Sequence, residues 1–503
     1  MSMEVIKQID FNAFGALEFG FIDKMRCFAY ELNVTNIKIA LDSISVKKQQ
    51  TIEFHLQKKF PRLSVQCTQI KDFEFFYQKA WDYAKFIVLS KNLCARVAML
   101  TNNTPANLSP SMLQSTTKNG EENSKEIIEL LDFILLHALQ SRSSDIHIEL
   151  SANGGIIRNR IDGILVKSFT LQEEVFAVLS ARLKLECKLD MSENRRSLDG
   201  RFSRIFNGEE FDFRFSSMPN IGGESLVIRI LAKSAKGLQI HKLGFDSSSL
   251  RLIKQELHKS SGVILLVGPT GCGKSTTLYA MLDCINDTSK KIITLEDPIE
   301  YRVDGLIQVL LNEEYNFSFE KALRGALRQD PDIMMIGEIR DSQTLESALQ
   351  ASLTGHLIFA TLHANDTLGA LERILALGGR IEVLAQNLLL IISQRLVRKL
   401  CEHCKIEVKK DFYDEYKQQM YANFCANLTL PNRLFRAKGC PYCNNSGFSG
   451  RILLTEVLPQ STEFKAFLSG DKHTKVPMIS LKQSIERVLS EGVCSIEEIY
   501  RVC

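Results

Sequence analysis

The sequence predicts an α/β fold in which a parallel sheet carries helices on both faces. From Leu243 onward, short apolar runs of strand length alternate with segments of helical pattern, which is typical of such sheets. One of these runs, residues 263–267, leads into a glycine-rich turn and then a helix. The other runs end in polar residues, and the carboxyl ends of parallel strands converge on a ligand. We therefore expect a ligand site at this edge of the sheet.

Changes in composition divide the chain into five segments. Residues 1–100 mix short strand-like and helix-like runs without a catalytic signature, so we expect a small N-terminal domain. Residues 101–123 lack aromatic side chains and are rich in Asn, Ser and Thr, which is typical of a linker. Alternating strands and one helix predict an α+β domain over 124–232. A hinge over 233–242 then leads to the α/β domain, residues 243–503.

The start of the α+β domain is predicted from one amphipathic helix. Its apolar residues recur at helical spacing from Ile127 to Leu139. Asn123 and Glu126 fit the pattern of a capping pair just before and inside the first turn. The helix is therefore expected to begin at residue 124.

The overall composition limits the number of domains and the cellular compartment that we expect. A chain of 503 residues exceeds one hydrophobic core, so two or three domains are expected. The net charge of +3, without a basic tail, gives no reason to expect nucleic acid. Because the chain has no long apolar run and its N-terminus is too polar for a signal peptide, we expect a cytoplasmic protein that reaches membranes only through partners. Thirteen cysteines then indicate thiols or metal rather than disulfides.

The glycine-rich turn matches the phosphate-binding pattern GxxxxGK(S/T). Glycines let backbone N–H groups curl around a phosphate chain, and the start of the helix adds the positive end of its dipole. Lys274 would supply a charge to the outer phosphates, and the Ser275 hydroxyl would bind Mg²⁺. The predicted nucleotide-binding residues of this turn are Gly268, Pro269, Thr270, Gly271, Cys272, Gly273, Lys274, Ser275 and Thr276.

Two acidic clusters follow apolar strands after this turn. Glu338 comes directly after one strand and suits a base or a carboxylate that orients water. Glu296, Asp297 and Glu300 follow another strand, and one of them could hold Mg²⁺ through water or compete with Glu338 as the base. A single acidic residue at a strand end is ordinarily a helix cap or a solvated group. Two such clusters behind a phosphate-binding turn favour a catalytic role.

Cations that could stabilise a phosphoryl transition state come from two places. Arg324 and Arg328 are four residues apart and share a face of a predicted helix. In the preceding domain, Arg214 and Arg229 interrupt apolar strands. An arginine on a strand is commonly a solvated surface residue, and spacing alone leaves both interpretations open.

His356 and His363 flank one apolar strand. A single histidine at a strand end is more often structural. Two of them beside the acidic clusters favour a role in sensing phosphate.

Two CxxC pairs lie in the C-terminal part of the chain. Four thiolates can complete a tetrahedral zinc shell with no open position for catalysis. Reduced structural cysteines or a redox pair are the alternative. The candidate metal ligands are Cys401, Cys404, Cys440 and Cys443.

Taken together, these motifs resemble those of the type II secretion and type IV pilus assembly ATPases, the general secretion pathway protein E family. GPTGCGKSTTLYA is similar to the family's Walker A loop, ITLEDPIEY to its aspartate box, LRGALRQDPDIMMIGEIRD to its Walker B region and TGHLIFATLHAND to its histidine box. Upstream, SDIHIE, RNRIDG, LDGR and GGESLVIRIL are similar to the domain before the motor. The resemblance covers roughly residues 124–460. Small departures, such as Cys272 where serine is common, remove no required chemical group.

The resemblance implies a RecA-like motor that forms a homo-hexameric ring with ATP held between two domains. It implies that Arg214, Arg229, Arg324 and Arg328 match arginines that close on the phosphates, in the same or a neighbouring subunit. The tetracysteine element is typical of the assembly and secretion branch. The expected work is assembly of a type II secretion pseudopilus or a type IV pilus, with DNA uptake as a further possibility. The expected partners are inner-membrane platform and anchor proteins, one of which would dock on residues 1–100.

Two other functions share the phosphate chemistry. A nucleic-acid motor would use a similar site, but the near-neutral charge and the lack of a basic aromatic surface argue against it. A scaffold that binds nucleotide without hydrolysing it would not need Glu338 or the histidine segment.

Overall fold

The structure is a computed structural model, and the chain forms two compact units. The first comprises Met1–Leu231 with Cys440–Tyr442, and the second comprises Ala232–Gly439 with Cys443–Cys503. Most of the predicted linker, residues 101–120, and half of the predicted hinge, 233–237, lie outside the described residues. The structure describes residues 17–32, 36–70, 72–100, 121–151, 154–231, 238–311, 318–408, 428–471 and 473–503.

The first unit begins with a three-stranded sheet that packs against helices. Its elements are α1 (Phe19–Met25), β1 (Cys27–Leu32), β2 (Asn36–Leu41), α2 (Val46–Lys59), β3 (Ser64–Gln69) and α3 (Phe73–Leu100). Strands β1 and β2 are antiparallel, whereas β2 and β3 are parallel. Helix α2 supplies the crossover that a parallel pair needs. Ile37 and Ile39, two residues apart on β2, are buried in the same core as Phe28 and Phe76.

Helix α3 belongs to two cores. Its first half, including Phe76 and Ala84, packs in the N-terminal core. Phe86, Leu89 and Leu93 further along the same helix pack in the next core. The change of core therefore falls inside the helix, before the domain boundary predicted at residue 100.

The second core of the first unit lies between helices and a six-stranded antiparallel sheet. Its elements are α4 (Glu121–Gln140), β4 (Ser143–Ser151), β5 (Gly154–Ile161), β6 (Ile164–Leu171), α5 (Glu173–Glu186), β7 (Leu198–Phe206), β8 (Glu209–Asn220) and β9 (Gly223–Leu231). The strand order is β6-β5-β4-β9-β8-β7. Alternate residues such as Ile146 and Ile148 are buried, as expected for a sheet with one packed face.

Helix α4 begins at Glu121, three residues before the predicted start. Asn123 therefore lies inside the helix, and the predicted capping pair of Asn123 and Glu126 is wrong. The helical backbone at Asn123 excludes the extended conformation that a capping residue adopts.

The second unit contains a seven-stranded sheet. Its strands are β10 (Gly262–Val267), β11 (Ile292–Glu296), β12 (Leu306–Leu310), β13 (Ile333–Ile336), β14 (Leu357–Leu362), β15 (Leu388–Leu400) and β18 (Phe448–Pro459). Their order in the sheet is β12-β11-β13-β14-β10-β15-β18. The first six strands in this order run parallel, and β18 joins the edge antiparallel to β15. The helices are α6 (Ser247–Glu256), α7 (Lys274–Ile285), α8 (Phe319–Leu327), α9 (Ser342–Leu353), α10 (Thr367–Ala376), α11 (Ile381–Asn387), α12 (Thr462–Leu468), α13 (Leu481–Ser490) and α14 (Ile496–Val502).

Strand β10 shows that both faces of this sheet are covered. Val263 and Leu265 pack in one core, whereas Ile264 and Leu266 pack in the core on the other side. All six residues of β10 are buried, which is the pattern of a central parallel strand. The predicted α/β fold is confirmed.

A smaller element completes the second unit. Strands β16 (Ile406–Val408) and β17 (Leu434–Arg436) pair antiparallel. Within the part of the chain that the structure describes, no helix has the length and apolar character needed to cross a membrane.

Candidate nucleotide-binding site

The turn between β10 and α7 has a backbone that only glycine adopts readily. Gly268, Gly271 and Gly273 have φ angles of 145°, 78° and 89°, in the region that side chains disfavour. A Cβ atom at Gly268 would lie 2.6 Å from the carbonyl oxygen of Gln394. Gly273 caps α7 without a side-chain hydrogen bond, so the first N–H groups of the helix point to the turn. This geometry can hold a phosphate chain.

Lys274 is held over the turn by backbone oxygens. Its Nζ donates to the carbonyl of Gly268 at 2.8 Å and to that of Pro269 at 3.2 Å. Partial burial lowers the pKa of Lys274, and the negative charge of Glu338 acts in the opposite direction. The ammonium group is therefore already placed between the turn and the acidic strand end.

One cleft brings the predicted phosphate and acidic residues together at the carboxyl edge of the sheet. It is lined by Leu278, Pro298, Phe319, Met335, Gly337, Arg340 and Thr361, and by the predicted site residues Lys274, Ser275, Glu296, Asp297, Glu300, Glu338 and His363. The carboxyl ends of β11, β13 and β14 supply most of them, because parallel strands end at the same edge.

Glu338 lies between two basic groups in this cleft. Its Oε1 is 3.1 Å from Nε2 of His363, and its Oε2 accepts from Nε of Arg340 at 2.8 Å. Thr361 donates to the carbonyl of Gly337 at 2.6 Å and fixes the backbone just before the carboxylate. Glu338 keeps 20% of its side chain exposed, so it can approach a water molecule in the cleft.

Glu296 has different surroundings although it ends the neighbouring strand. It is 4% exposed and accepts hydrogen bonds from Tyr279 and Thr294. Asp297 and Glu300, which follow it, are exposed at the cleft.

The structure does not bring Arg324, Arg328 or His356 into the cleft. Arg324 forms an ion pair with Glu320 at 2.8 Å, and Arg328 is the cap after α8 rather than part of its face. His356 precedes β14, where its Nδ1 faces the carbonyl of Ala351 at 2.9 Å. It is separated from His363 by the whole strand, about 20 Å at the usual rise.

Arg214 and Arg229 lie directly opposite each other on β8 and β9 of the first unit. They belong to a row that crosses five strands, since Arg201 pairs with Arg214 and Asp145 pairs with both Arg229 and Arg160. Asp145 accepts from Nε of Arg229 at 3.0 Å and lies 3.6 Å from Nε of Arg160. Like charges in directly opposite positions are unfavourable, so this row is suited to an anion.

Arg201, Arg160 and Gln394 contribute to these two regions and were not predicted. Arg201 and Arg160 lie in the quoted segments LDGR and RNRIDG, but only strand register shows that they share a row with Arg214. Gln394 is fully buried on β15 and donates from Nε2 to the carbonyl of Cys272 at 2.8 Å. Its signal in the sequence is the polar interruption of an otherwise apolar run, LLLIISQRLV.

The four predicted metal ligands come together. The sulfur atoms of Cys401, Cys404, Cys440 and Cys443 lie within 4.8 Å of one another. The sulfurs of Cys404 and Cys443 are 3.8 Å apart, and zinc–sulfur bonds of about 2.3 Å in a tetrahedron give nearly this separation. The backbone N–H of Gly447 donates to the Cys443 sulfur at 3.1 Å, which stabilises a thiolate. The residues therefore fit a zinc ion.

Sequence comparisons with known proteins all match secretion and pilus assembly proteins. The family profile described as Type II/IV secretion system protein matches residues 120–501. The chain is 37% identical over 389 residues to Type II secretion system protein E of Pseudomonas aeruginosa, covering 76% of each chain. It is 38% identical over 388 residues to Type II secretion system ATPase E of Vibrio cholerae, again covering 76% of each. It is also 36% identical over 397 residues to the Type IV pilus assembly ATPase PilB of Myxococcus xanthus, covering 76% of this chain and 70% of that one.

A solved structure is similar in fold. The X-ray structure of the Legionella pneumophila ATPase DotB matches with a TM-score of 0.54 at 20% identity, covering 74% of this chain and 94% of that one. At this identity the likeness concerns the fold alone, and it agrees with the predicted RecA-like architecture.

Proposed function

This chain belongs to the Type II/IV secretion system protein family and is an ATP hydrolase of the secretion and pilus motors, and we propose that it drives assembly of a type II secretion pseudopilus or a type IV pilus. The observation that carries the site assignment is the cleft that places Lys274, Ser275, Glu338 and His363 at one edge of the parallel sheet. A phosphate-binding turn and a carboxylate that can orient water are the two groups that ATP hydrolysis requires.

Each residue of the cleft has a separate role in ATP hydrolysis. The N–H groups of the turn and Lys274 bind the phosphates, and Ser275 holds Mg²⁺, which neutralises phosphate charge when it is bound. Glu338 orients the attacking water and takes its proton. His363 and Arg340 hold the two oxygens of Glu338, so that its carboxylate keeps one direction. Asp297 and Glu300 are the alternative carboxylates for Mg²⁺-bound water.

The arginine row of the first unit is the proposed partner of the phosphates during closure. Arg214 and Arg229 act on the γ-phosphate, and Arg324, Arg328 and His356 act in the assembled ring. The charge of the row, in which two arginines share Asp145, supports the assignment of Arg214 and Arg229. The active form is a homo-hexamer, in which these groups come from the same or a neighbouring subunit.

The tetracysteine cluster holds Zn²⁺ in a structural role, because four sulfur ligands leave no open position. Residues 1–100 dock a membrane-anchored partner, and an inner-membrane platform receives the motion. The protein works in the cytoplasm and reaches the inner membrane through these partners, without direct contact with nucleic acid.

Steady-state phosphate release from purified protein tests the site. Glu338→Gln keeps the size of the side chain but removes the base, and a loss of about 10²- to 10⁴-fold in kcat is expected. Lys274→Ala is expected to weaken nucleotide binding as well. Glu346→Gln is the matched control, because Glu346 is an exposed glutamate on α9 outside the cleft.

Three results would contradict the proposal. If both Glu338→Gln and Lys274→Ala hydrolyse ATP as fast as the wild type, the cleft is not the catalytic site. Strong stimulation by DNA would favour a nucleic-acid motor, and nucleotide binding without phosphate release would favour a scaffold.

A further inference from the structure

A buried hydrogen-bond network connects α7 with the end of β11. Glu296 accepts from Oγ1 of Thr294 at 2.6 Å and from the hydroxyl of Tyr279. Tyr279 and Thr294 are fully buried, and Glu296 is 4% exposed. Burial, followed by the negative charge of Glu296, raises the pKa of Tyr279. The phenol therefore stays protonated and remains a donor to the carboxylate.

Gln308 on β12 joins the same network to the segment after β11. Its Nε2 lies 3.3 Å from Oε1 of Glu296 and 3.2 Å from the hydroxyl of Tyr279. The same nitrogen is 2.8 Å from the carbonyl of Tyr301, and Oε1 of Gln308 accepts from the N–H of Val303 at 2.9 Å. The rings of Tyr279 and Tyr301 also meet edge to face with centroids 5.3 Å apart. The segment 297–303 is thus attached to α7 through side chains.

Three donors occupy most of the acceptor sites that Glu296 would need to bind a metal ion. Oε1 of Glu296 faces Thr294 and Gln308, and Oε2 faces Tyr279. A carboxylate has about four acceptor sites, and Mg²⁺ usually keeps several of its waters when carboxylates bind it. Asp297 and Glu300 are exposed at the cleft and are better placed than the buried Glu296 to contact a hydrated ion.

We propose that Glu296 is a positioning residue and not a Mg²⁺ ligand. It fixes α7, which begins with Lys274 and Ser275, to the segment that carries Asp297 and Glu300. The phosphate-binding groups and the acidic groups then keep a constant separation during turnover. This inference rests on the proposed ATPase site and adds a residue whose effect passes through others.

The test uses the full chain and compares Glu296→Gln, Tyr279→Phe and the double variant. Tyr279→Phe removes only the hydroxyl and keeps the buried ring. Loss of an outer-shell contact commonly lowers activity by about 10- to 100-fold, and we expect kcat to fall in that range in both single variants. The Mg²⁺ concentration for half-maximal turnover is expected to stay unchanged. The double variant should lose little more than Glu296→Gln, because both changes break one network.

Two outcomes would overturn the inference. A large rise in the Mg²⁺ requirement of Glu296→Gln, without one in Tyr279→Phe, would make Glu296 a metal ligand. An unchanged kcat per folded molecule, with a lower unfolding temperature, would make the network structural only. Asp297→Asn provides the comparison, since it should raise the Mg²⁺ requirement.

A separate experiment distinguishes failure of this inference from failure of the proposed ATPase function. If the wild-type chain releases no phosphate, the ATPase assignment fails. Binding of a fluorescent ATP analogue at varied Mg²⁺ in the same variants then decides whether Glu296 is a ligand.

Discussion

Glu296 ends β11 and Glu338 lies just after the neighbouring parallel strand β13. Both lie at one edge of one sheet, yet their surroundings differ. Glu296 is enclosed by the neutral donors Tyr279, Thr294 and Gln308. Glu338 is partly exposed and faces the basic groups of His363 and Arg340. The comparison shows that a strand end brings a carboxylate to the site, whereas the neighbouring side chains decide what the carboxylate does there.

A buried carboxylate outside the cleft, Glu498, provides a structural reference for this comparison, and the largest effect is expected there. Glu498 is 1% exposed and accepts from Arg398 and Arg501. Glu498→Gln leaves the half-buried Arg398 without its counter-charge, and breaking a buried pair costs about 3–5 kcal/mol of unfolding free energy. Urea unfolding measures the loss. Turnover per folded molecule should stay as in the wild type, and a selective loss of kcat would contradict the structural role.

The pH dependence of the same pair follows from the sign of its pKa shift. Burial opposes ionisation of Glu498, but hydrogen bonds from Arg501 and Arg398 outweigh it and lower the pKa to about 2. A carboxyl group in an unfolded chain titrates near about 4.3. The contribution of Glu498 is therefore complete above that pH and is lost as the pH falls toward 2. The difference in unfolding free energy between the wild type and Glu498→Gln should shrink over that range.

The next largest effect is expected from shortening the two strand-end carboxylates equally. Glu338→Asp withdraws the carboxylate from the cleft by about 1 Å, and a displacement of this size can cost about 100-fold in rate. Glu296→Asp should lower kcat less and lower the unfolding temperature more, because its hydrogen bonds lie in the core. Phosphate release and thermal unfolding measure the two quantities. Equal effects at both positions would contradict the contrast between them.

The smallest effect is expected at Gln394, which donates a hydrogen bond to the backbone of the phosphate-binding turn at Cys272. Gln394→Leu leaves the carbonyl of Cys272 without the donor that lies 2.8 Å away. An unsatisfied buried acceptor costs about 1–3 kcal/mol, and part of this should appear as weaker binding of a fluorescent ATP analogue. Gln460→Leu is the matched control, since Gln460 also bonds backbone carbonyls but at 385 and 386, away from the turn. An equal loss in both variants would contradict a specific role for Gln394.

The sequence predicted those features that depend on neighbours along the chain. The strand before Gly268 and the helix after Gly273 follow from a local pattern, and so do the apolar strands that end at Glu296 and Glu338. The two CxxC pairs were also recognisable from spacing, and their sulfur atoms do come together.

Features that depend on distant neighbours could not be predicted. The separate surroundings of Glu296 and Glu338 arise from donors on other elements, such as Gln308. The row through Arg201 and Arg160 depends on strand register, which a single sequence does not reveal. The start of α4 was placed too late, because the sequence pattern of a capping pair at Asn123 and Glu126 does not by itself exclude a helical backbone there.

Helix α3 has a mechanical consequence for the first unit. Ala84 is buried with the three-stranded sheet and Phe86 with the six-stranded sheet, so the two cores are attached to one rod within two residues. The rod is continuous over 28 residues, and its backbone hydrogen bonds resist stretching and bending alike. A force on the three-stranded sheet is therefore transmitted to the six-stranded sheet through a continuous helix and not through a flexible loop.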